Sequence, residues 1–344
     1  GTLFFEIERL LSEPQPKYFL LENVRGLTTH DGGNTFKTII SKLEQLGYGV
    51  EYRILNSSSF GVPQNRVRVY ILGVKGRQPK LTLESEFGPA DSHQFKYEKI
   101  QTRLFSYKSF KVVRDILEDE VAEKYYCSEE FTQSLGDVIG KDFEKLNGMR
   151  LIDYRNGQSI HSWELGLKGK CTRDEIEFMN ALLKNRRLKI FGTHQDGKRL
   201  SLEEIETFFP HKDTKKIAFS LEKKGYIKKV EGKYNPVAGN MSFEVFKFLD
   251  PDSISITLVT SDAHKLGIVH KGKPRRITPR EAARIQGYPE SYKIHPVDTI
   301  AYRQFGNAVS VPVVKSVLLD FLKNNTIHEI TSKIIIDPNL VSSS

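Results

Sequence analysis

The sequence predicts a layered α/β fold joined to a second region of mixed α+β structure. Three observations lead there. Tyr18-Phe19-Leu20-Leu21 is a run of four apolar or aromatic residues that ends at once in Glu22-Asn23-Val24-Arg25-Gly26. This reads as a buried parallel strand delivering polar side chains at its carboxyl end, the edge where open α/β sheets bind ligands. Helical and strand patterns then alternate through the first 75 residues, as layered α/β domains require. Further on the alternation stops, and a basic region of short elements takes over. A carboxylate at the end of the first strand could hand a proton to a ring nitrogen or an amine. Glu22 could equally cap the following turn or pair with Arg25, since ion pairs imitate functional sites.

Residues 2–13 place Leu3, Phe4, Ile7, Leu10 and Leu11 at helical spacing and stop before Pro14 and Pro16. After the strand, Asp31-Gly32-Gly33-Asn34 is a turn, and Thr35 to Leu46 is a helix closed by Gly47. Tyr48 to Leu55 reads as a strand, Asn56 to Pro63 as a loop and Arg66 to Val74 as a third strand. Arg66 and Arg68 are two apart on that strand, so they point one way while Val67 and Val69 point the other. Two adjacent guanidiniums need an anion; otherwise they mark an exposed strand face.

Pro79, Gly88, Pro89 and His93 mark a connector from Arg77 to Lys111. Asp115 to Glu130 is predicted helical, with Val113, Ile116, Leu117 and Val121 inward, and short strands and turns follow through Leu167. Thr172 and Asp174 can cap a helix over Arg173–Leu188 whose Ile176, Met179, Leu182 and Leu183 share a face. Ser201 caps a helix over Leu202–Phe209, Asp213 caps one over Thr214–Lys224, and a hairpin turns at Glu231-Gly232. Helix, helix and basic hairpin resemble a winged helix. Arg275 to Pro289 is predicted to be a helix capped by Thr278, with Pro279 first and Glu281 closing a capping box. Gly306-Asn307 brings the backbone close to something before an apolar helix that ends near Asn324, and that helix offers free N–H groups to an anion. Beyond Thr326 the tail ends in Ser-Ser-Ser and is expected to fray.

With 344 residues and 38% hydrophobic content the chain can bury ordinary cores in two domains. Cys127 and Cys171 can make no disulfide framework and match no metal-ligand spacing. A reducing cytoplasmic interior suits that, and no run of about eighteen apolar residues or signal peptide argues for a membrane or export. The first residue is Gly1, which points to a chain that begins inside a longer gene product or was cut. A net charge of +9 favours a polyanionic partner. From Leu165 to Lys233 there are seventeen Lys and Arg against ten Asp and Glu, +7 of that +9. Lys215, Lys216, Lys223 and Lys224 fall on one helix and Lys228, Lys229 and Lys233 on the hairpin. These suit the phosphates of duplex DNA, although lysine-rich faces are also ordinary solvated surface.

Taken together, the residues carry a resemblance. Glu22-Asn23-Val24, Gln64-x-Arg66-x-Arg68, Arg276-x-Thr278-x-x-Glu281-x-x-Arg284-x-x-Gly287 and Gln304-Phe305-Gly306-Asn307-Ala308 stand in the order seen in DNA (cytosine-5)-methyltransferases. Gly1-Thr2-Leu3-Phe4 resembles the end of that family's Arg-Gly-x-Leu-Phe segment, and Thr257-Leu258 the pair that closes its target-recognition region. The resemblance implies an incomplete Rossmann-like methyltransferase sheet with an inserted mixed α+β target-recognition domain. It divides the chain into 1–90 (catalytic), 91–290 (DNA-binding), 291–325 (returning helix) and 326–344 (tail). It also implies base flipping, attack on C6 of the cytosine by a cysteine thiolate, and methyl transfer from S-adenosylmethionine to C5. Glu22 is carried over as the group at the N3 side, with Asn23 shaping the turn. Arg68 contacts O2, and Arg66 orders a loop or meets a phosphate. Asn307 and Ala308 line the methionine end of the cofactor; many relatives have Ser at the latter position. Lys215, Lys216, Lys228, Lys229 and Thr257 are the expected DNA contacts.

The departures matter too. The family's Phe-x-Gly-x-Gly cofactor loop and Pro-Cys nucleophile loop precede the Glu-Asn-Val strand, and neither occurs in this sequence. Expected explanations are a truncated gene product, one subunit of a split enzyme completed by an N-terminal partner, or a non-catalytic sequence-specific DNA-binding protein using the winged-helix-like segment.

Overall fold

A computed structural model describes residues 2–85, 111–153, 159–193, 198–237 and 243–325. Gly1, the connector residues Gly88, Pro89 and His93, and the tail beyond Thr326 lie outside the described residues. The chain divides into two compact units: residues 1–112, 283–292 and 308–344 form the first, and 113–282 with 293–307 form the second.

In the first unit, helix α1 (Thr2–Ser12) leads into strand β1 (Tyr18–Val24). Helix α2 (Asn34–Gln45), strand β2 (Tyr48–Asn56) and strand β3 (Val67–Lys75) follow. The sheet order is β1-β3-β2, and β3 is antiparallel to both neighbours. The expected parallel pairing of β1 is therefore corrected. β1 has a sheet neighbour on one side only among the described strands, which is why much of it stays half-buried instead of fully buried.

Side-chain alternation gives the sheet two covered faces. Leu11 of α1 and Phe36, Ile39 and Leu43 of α2 pack on Phe19, Val50, Ile54, Val69 and Ile71. Leu10, expected inward, is 52% exposed, because the α1 stripe narrows to Phe4, Ile7 and Leu11.

The second unit holds helices α3 (Glu129–Ile139), α4 (Arg173–Asn185), α5 (Leu202–Glu206) and α6 (Thr214–Lys223). Its strands are β4 (Arg150–Leu151), β5 (Ser159–Ile160), β6 (Ile227–Val230), β7 (Lys233–Pro236), β8 (Lys247–Phe248), β9 (Leu266–His270) and β10 (Lys273–Arg276). A mixed sheet runs β10-β9-β8-β4-β5, while β6 and β7 form a separate hairpin. The hairpin turns where expected, with positive φ at Glu231 and Gly232.

The predicted helix over Asp115–Glu130 does not form. Only 3₁₀ turns occur at Val113–Ile116 and Glu123–Tyr125 before α3 begins. Backbone donors that such a helix would use go elsewhere: Glu118 N–H to the Glu281 carboxylate, Cys127 N–H to the Pro274 carbonyl and Ser128 N–H to the Glu244 carboxylate. Asp213 does not cap α6 with its side chain, because that carboxylate is held 2.9 Å from Lys216.

Helix α7 (Pro279–Ile285) is shorter than predicted, since Arg275 and Arg276 belong to β10, but its capping box is present. Glu281 N–H donates to Thr278 Oγ1 at 3.1 Å and Thr278 N–H to Glu281 at 2.8 Å. Helices α8 (Asp298–Asn307) and α9 (Val311–Asn324) close the described chain. In the first unit, Val313, Val317 and Phe321 of α9 cover the second sheet face, against Leu55, Tyr70, Leu72 and Val74. By length and apolarity Asp298–Asn324 passes as a membrane span. The break at Ala308-Val309-Ser310 leaves helices of 10 and 14 residues, each shorter than the roughly 20 that cross a bilayer.

Candidate functional site

Three of the expected site residues meet on the sheet face that α9 covers. Glu22 lies opposite Tyr70 in the β1–β3 register, and Val24 lies opposite Arg68. Glu22 and Arg68 are thus diagonal neighbours, within reach of long side chains. Glu22 Oε1 is 3.1 Å from Arg68 Nε and 3.6 Å from an Arg66 guanidinium nitrogen. The Glu22 oxygen is buried, and the contact is a close ion pair more than an aligned hydrogen bond. Arg66 and Arg68 side chains are only 4% and 12% exposed, so the exposed-face reading of this Arg-x-Arg is set aside. Burial, then the neighbouring Arg68, lowers the pKa of Arg66 from the usual arginine value, with Glu22 pulling the other way; burial likewise lowers that of Arg68. Burial beside Glu22 raises the pKa of the Tyr70 hydroxyl, which stays protonated.

The end of β2 fixes where the arginines start. Asn56 Oδ1 accepts the backbone N–H of Arg66 at 2.9 Å, and Ser57 N–H donates to the Arg66 carbonyl at 3.1 Å. Asn56 Nδ2 also donates to Asn65 Oδ1 at 3.0 Å. The Arg66 guanidinium donates to the Ala308 carbonyl at 2.8 Å. This contact ties the Arg66 side chain to the backbone before α9. Gly287 lies in the same unit with φ +77°, and a Cβ there would fall 2.5 Å from Pro312 and 2.9 Å from Val62. Only glycine allows that approach.

Within the second unit, Asn307 ends α8 and is exposed. Its Oδ1 accepts from Thr260 Oγ1 at 2.6 Å, so the amide NH₂ is what it has left for a ligand. The close approach expected at Gly306 is to the chain itself: a Cβ there would stand 2.6 Å from the Thr260 backbone nitrogen. Thr257 is half-buried beside the fully buried Leu258.

The expected DNA-contacting residues Lys215, Lys216, Lys228 and Lys229 are all exposed. Two neighbours expected with them are already engaged. Lys224 sits 2.6 Å from the buried Glu175, and Lys233 3.4 Å from Glu204. Neither cysteine is an activated thiol. Burial pushes Cys127 up to about 12 and Cys171 up to about 11, so both are protonated at neutral pH.

Sequence reasoning missed Asn56, Tyr70 and Thr260. Asn at the end of a strand before Ser-Ser-Ser was a legible cap signal. Tyr70 could be read from its place two residues beyond Arg68, on the same strand face. Nothing local marked Thr260.

The C-5 cytosine-specific DNA methylase family description matches residues 1–323. Over 324 residues the chain is 64% identical to Type II methyltransferase M.HgiCI of Herpetosiphon aurantiacus, covering 94% of this chain and 77% of that protein. It is 63% identical over 325 residues to Type II methyltransferase M.BanI of Aneurinibacillus aneurinilyticus, with 94% and 75% covered. Type II methyltransferase M.NlaIV of Neisseria lactamica is 35% identical over 346 residues, with 92% and 75% covered. A match of this extent, at this identity, means that the chain belongs to the C-5 cytosine-specific DNA methylase family.

Proposed function

We propose that this chain supplies the base-binding residues and the target-recognition region of a DNA (cytosine-5)-methyltransferase in a type II restriction–modification system. It works on double-stranded DNA in the bacterial cytoplasm, at the nucleoid. The observation that carries the reading is the Glu22 carboxylate held by Arg68 and Arg66 at the end of β1. A flipped cytosine becomes electrophilic at C6 only when its N3 side is protonated or strongly hydrogen-bonded. Glu22 fills that role, with one oxygen held by the arginines. Arg68 contacts O2 and stabilises the charge that grows there as C6 is attacked. Arg66 holds the backbone at Ala308.

S-adenosylmethionine supplies an electrophilic methyl group on its sulfonium sulfur. The Asn307 side-chain amide and the Ala308 backbone fit the methionine end of that cofactor, because the Asn307 Oδ1 is already occupied while its NH₂ can donate to a carboxylate. Ala308 has no hydroxyl to add a hydrogen bond.

The thiolate is the group this sequence does not provide. With no Pro-Cys pair before β1 and two half-buried, protonated cysteines, these 344 residues alone do not methylate DNA. Activity requires residues that bring the Gly-rich and Pro-Cys loops, whether from the same polypeptide or from a complementing N-terminal subunit. The edge of β1 that has no neighbour among the described strands is where such a segment would extend the sheet. The test is transfer of labelled methyl groups to duplex DNA by three samples: the chain alone, the chain with the N-terminal segment of a close relative, and that pair with Glu22→Gln. Only the second should be active. Activity of the chain alone, or full activity of the Glu22→Gln pair, would overturn the assignment. Sequence-specific binding with no activity in any sample would favour a non-catalytic DNA-binding protein.

A further inference from the structure

Residues 163–234 close a hydrophobic core of their own. Phe178 and Leu182 of α4, Ile205 of α5, Leu221 of α6, and Tyr226 and Ile227 entering the hairpin are buried together. α6 turns Ile217, Ala218 and Leu221 into that core. The same geometry sends Lys215, Lys216, Phe219 and Lys223 outward, and 215, 216, 219 and 223 follow one stripe of the helix surface. Phe219 stands in the middle of the stripe at 68% exposure.

An exposed phenylalanine on a lysine-lined helix contributes little to folding, since its ring stays in water. Free positive charge gathers around it. Lys224 and Lys233 are engaged by Glu175 and Glu204, and Lys216 by Asp213. Lys212, Lys215 and Lys223, with Lys228 on β6, have no ion-pair partner among the described residues. A second copy of this chain would bring the same positive face and be repelled. A polyanion with an apolar interior fits.

We propose that α6 is the element that enters the major groove of duplex DNA, with Phe219 on the base edges and Lys215, Lys223 and Lys228 on the flanking phosphates. This rests on the duplex-DNA reading given above and names the residues that would carry specificity. A helix of this kind fits the major groove, where phenylalanine can contact a thymine methyl group. Lysine contacts position the helix but read no sequence.

Selection from a pool of random-sequence duplexes, with salt titration of the bound fraction, tests the assignment on the full chain. The wild-type chain should enrich one motif. Phe219→Ala should lose about tenfold preference at one or two adjacent base pairs, with bulk duplex affinity and salt slope unchanged. Phe219→Leu, which keeps an apolar contact, should retain most of the motif. The double variant Lys215→Ala with Lys223→Ala should weaken all sequences alike and reduce the salt slope by about one per lysine. Enrichment of the unchanged motif by Phe219→Ala would overturn the role of α6 while leaving duplex recognition standing. A change in the free chain's sedimentation, with the motif intact, would instead make this face an interface between copies and overturn the role as well. No enrichment by the wild-type chain would overturn the duplex-DNA reading itself, and this assignment with it.

Discussion

Arg66 and Arg68 stand two residues apart in the sequence, yet their guanidiniums meet different backbone partners. The Arg66 guanidinium reaches the Ala308 carbonyl, while that of Arg68 bonds its neighbouring Val67 carbonyl and approaches Glu22. Arg66→Ala should therefore lower stability by about 1.5–3 kcal/mol, the range for hydrogen bonds to charged groups, measured by urea unfolding of the chain. An unchanged midpoint would show that the Ala308 link carries no weight. A second residue-scale case is Arg275 with Glu281, 2.7 Å apart with neither side chain exposed. Glu281→Ala leaves a buried guanidinium uncompensated and removes the α7 cap, so a loss of about 3–5 kcal/mol is expected in the same measurement. Glu281 was legible as a cap from its spacing to Thr278. Its ion pair was not, because it depends on Arg275 standing in the strand before the helix, which the capping pattern does not mark.

At the scale of elements, Glu175 shows how one residue can serve two. It closes the capping box of α4 with Thr172, and it also accepts from Ser220 Oγ of α6 at 2.6 Å and from Lys224. Burial pushes its pKa up, but the hydrogen bonds from Lys224, Ser220 and the Thr172 N–H outweigh that and hold it below the usual carboxylate value. A folded-state pKa lower than the unfolded one, about 4.3, gives stability that is present above that pH and is lost as pH falls through the folded value. Trp163, the chain's one tryptophan, lies in the same core and should report the loss. Its fluorescence-monitored unfolding midpoint should fall as the pH drops below about 4, and Glu175→Gln should flatten that part of the profile. A wild-type midpoint constant across the range would refute the linkage. The Thr172 cap was visible in the sequence; the bridge from α4 to α6 depends on packing that no local pattern encodes.

For the molecule as a whole, the edge of β1 that has no neighbour among the described strands and the exposed Leu318, Leu319 and Leu322 of α9 leave apolar and unpaired surface among the described residues. The isolated chain should associate in a concentration-dependent way, measurable by sedimentation, and a complementing segment that extends the sheet should suppress it. Association unaffected by that segment would count against the open edge as its docking place. Taken by itself, the sequence determined α1, α2, the spans of β1, β2 and β3, the Thr172, Ser201 and Thr278 caps, the hairpin turn and the basic excess. Each is set by contacts within a few residues, which periodicity and capping chemistry expose. Only the tertiary structure decided that β1 runs antiparallel to its neighbour, that the N–H groups of Glu118, Cys127 and Ser128 find partners far along the chain, and that Gly306 meets Thr260. It also decided which lysines stay free. Those outcomes turn on strand register and on competition between partners far apart in the chain. The Glu22–Arg68 pair needed both: residue types legible in the sequence, and a β1–β3 register that sets them diagonally across from each other.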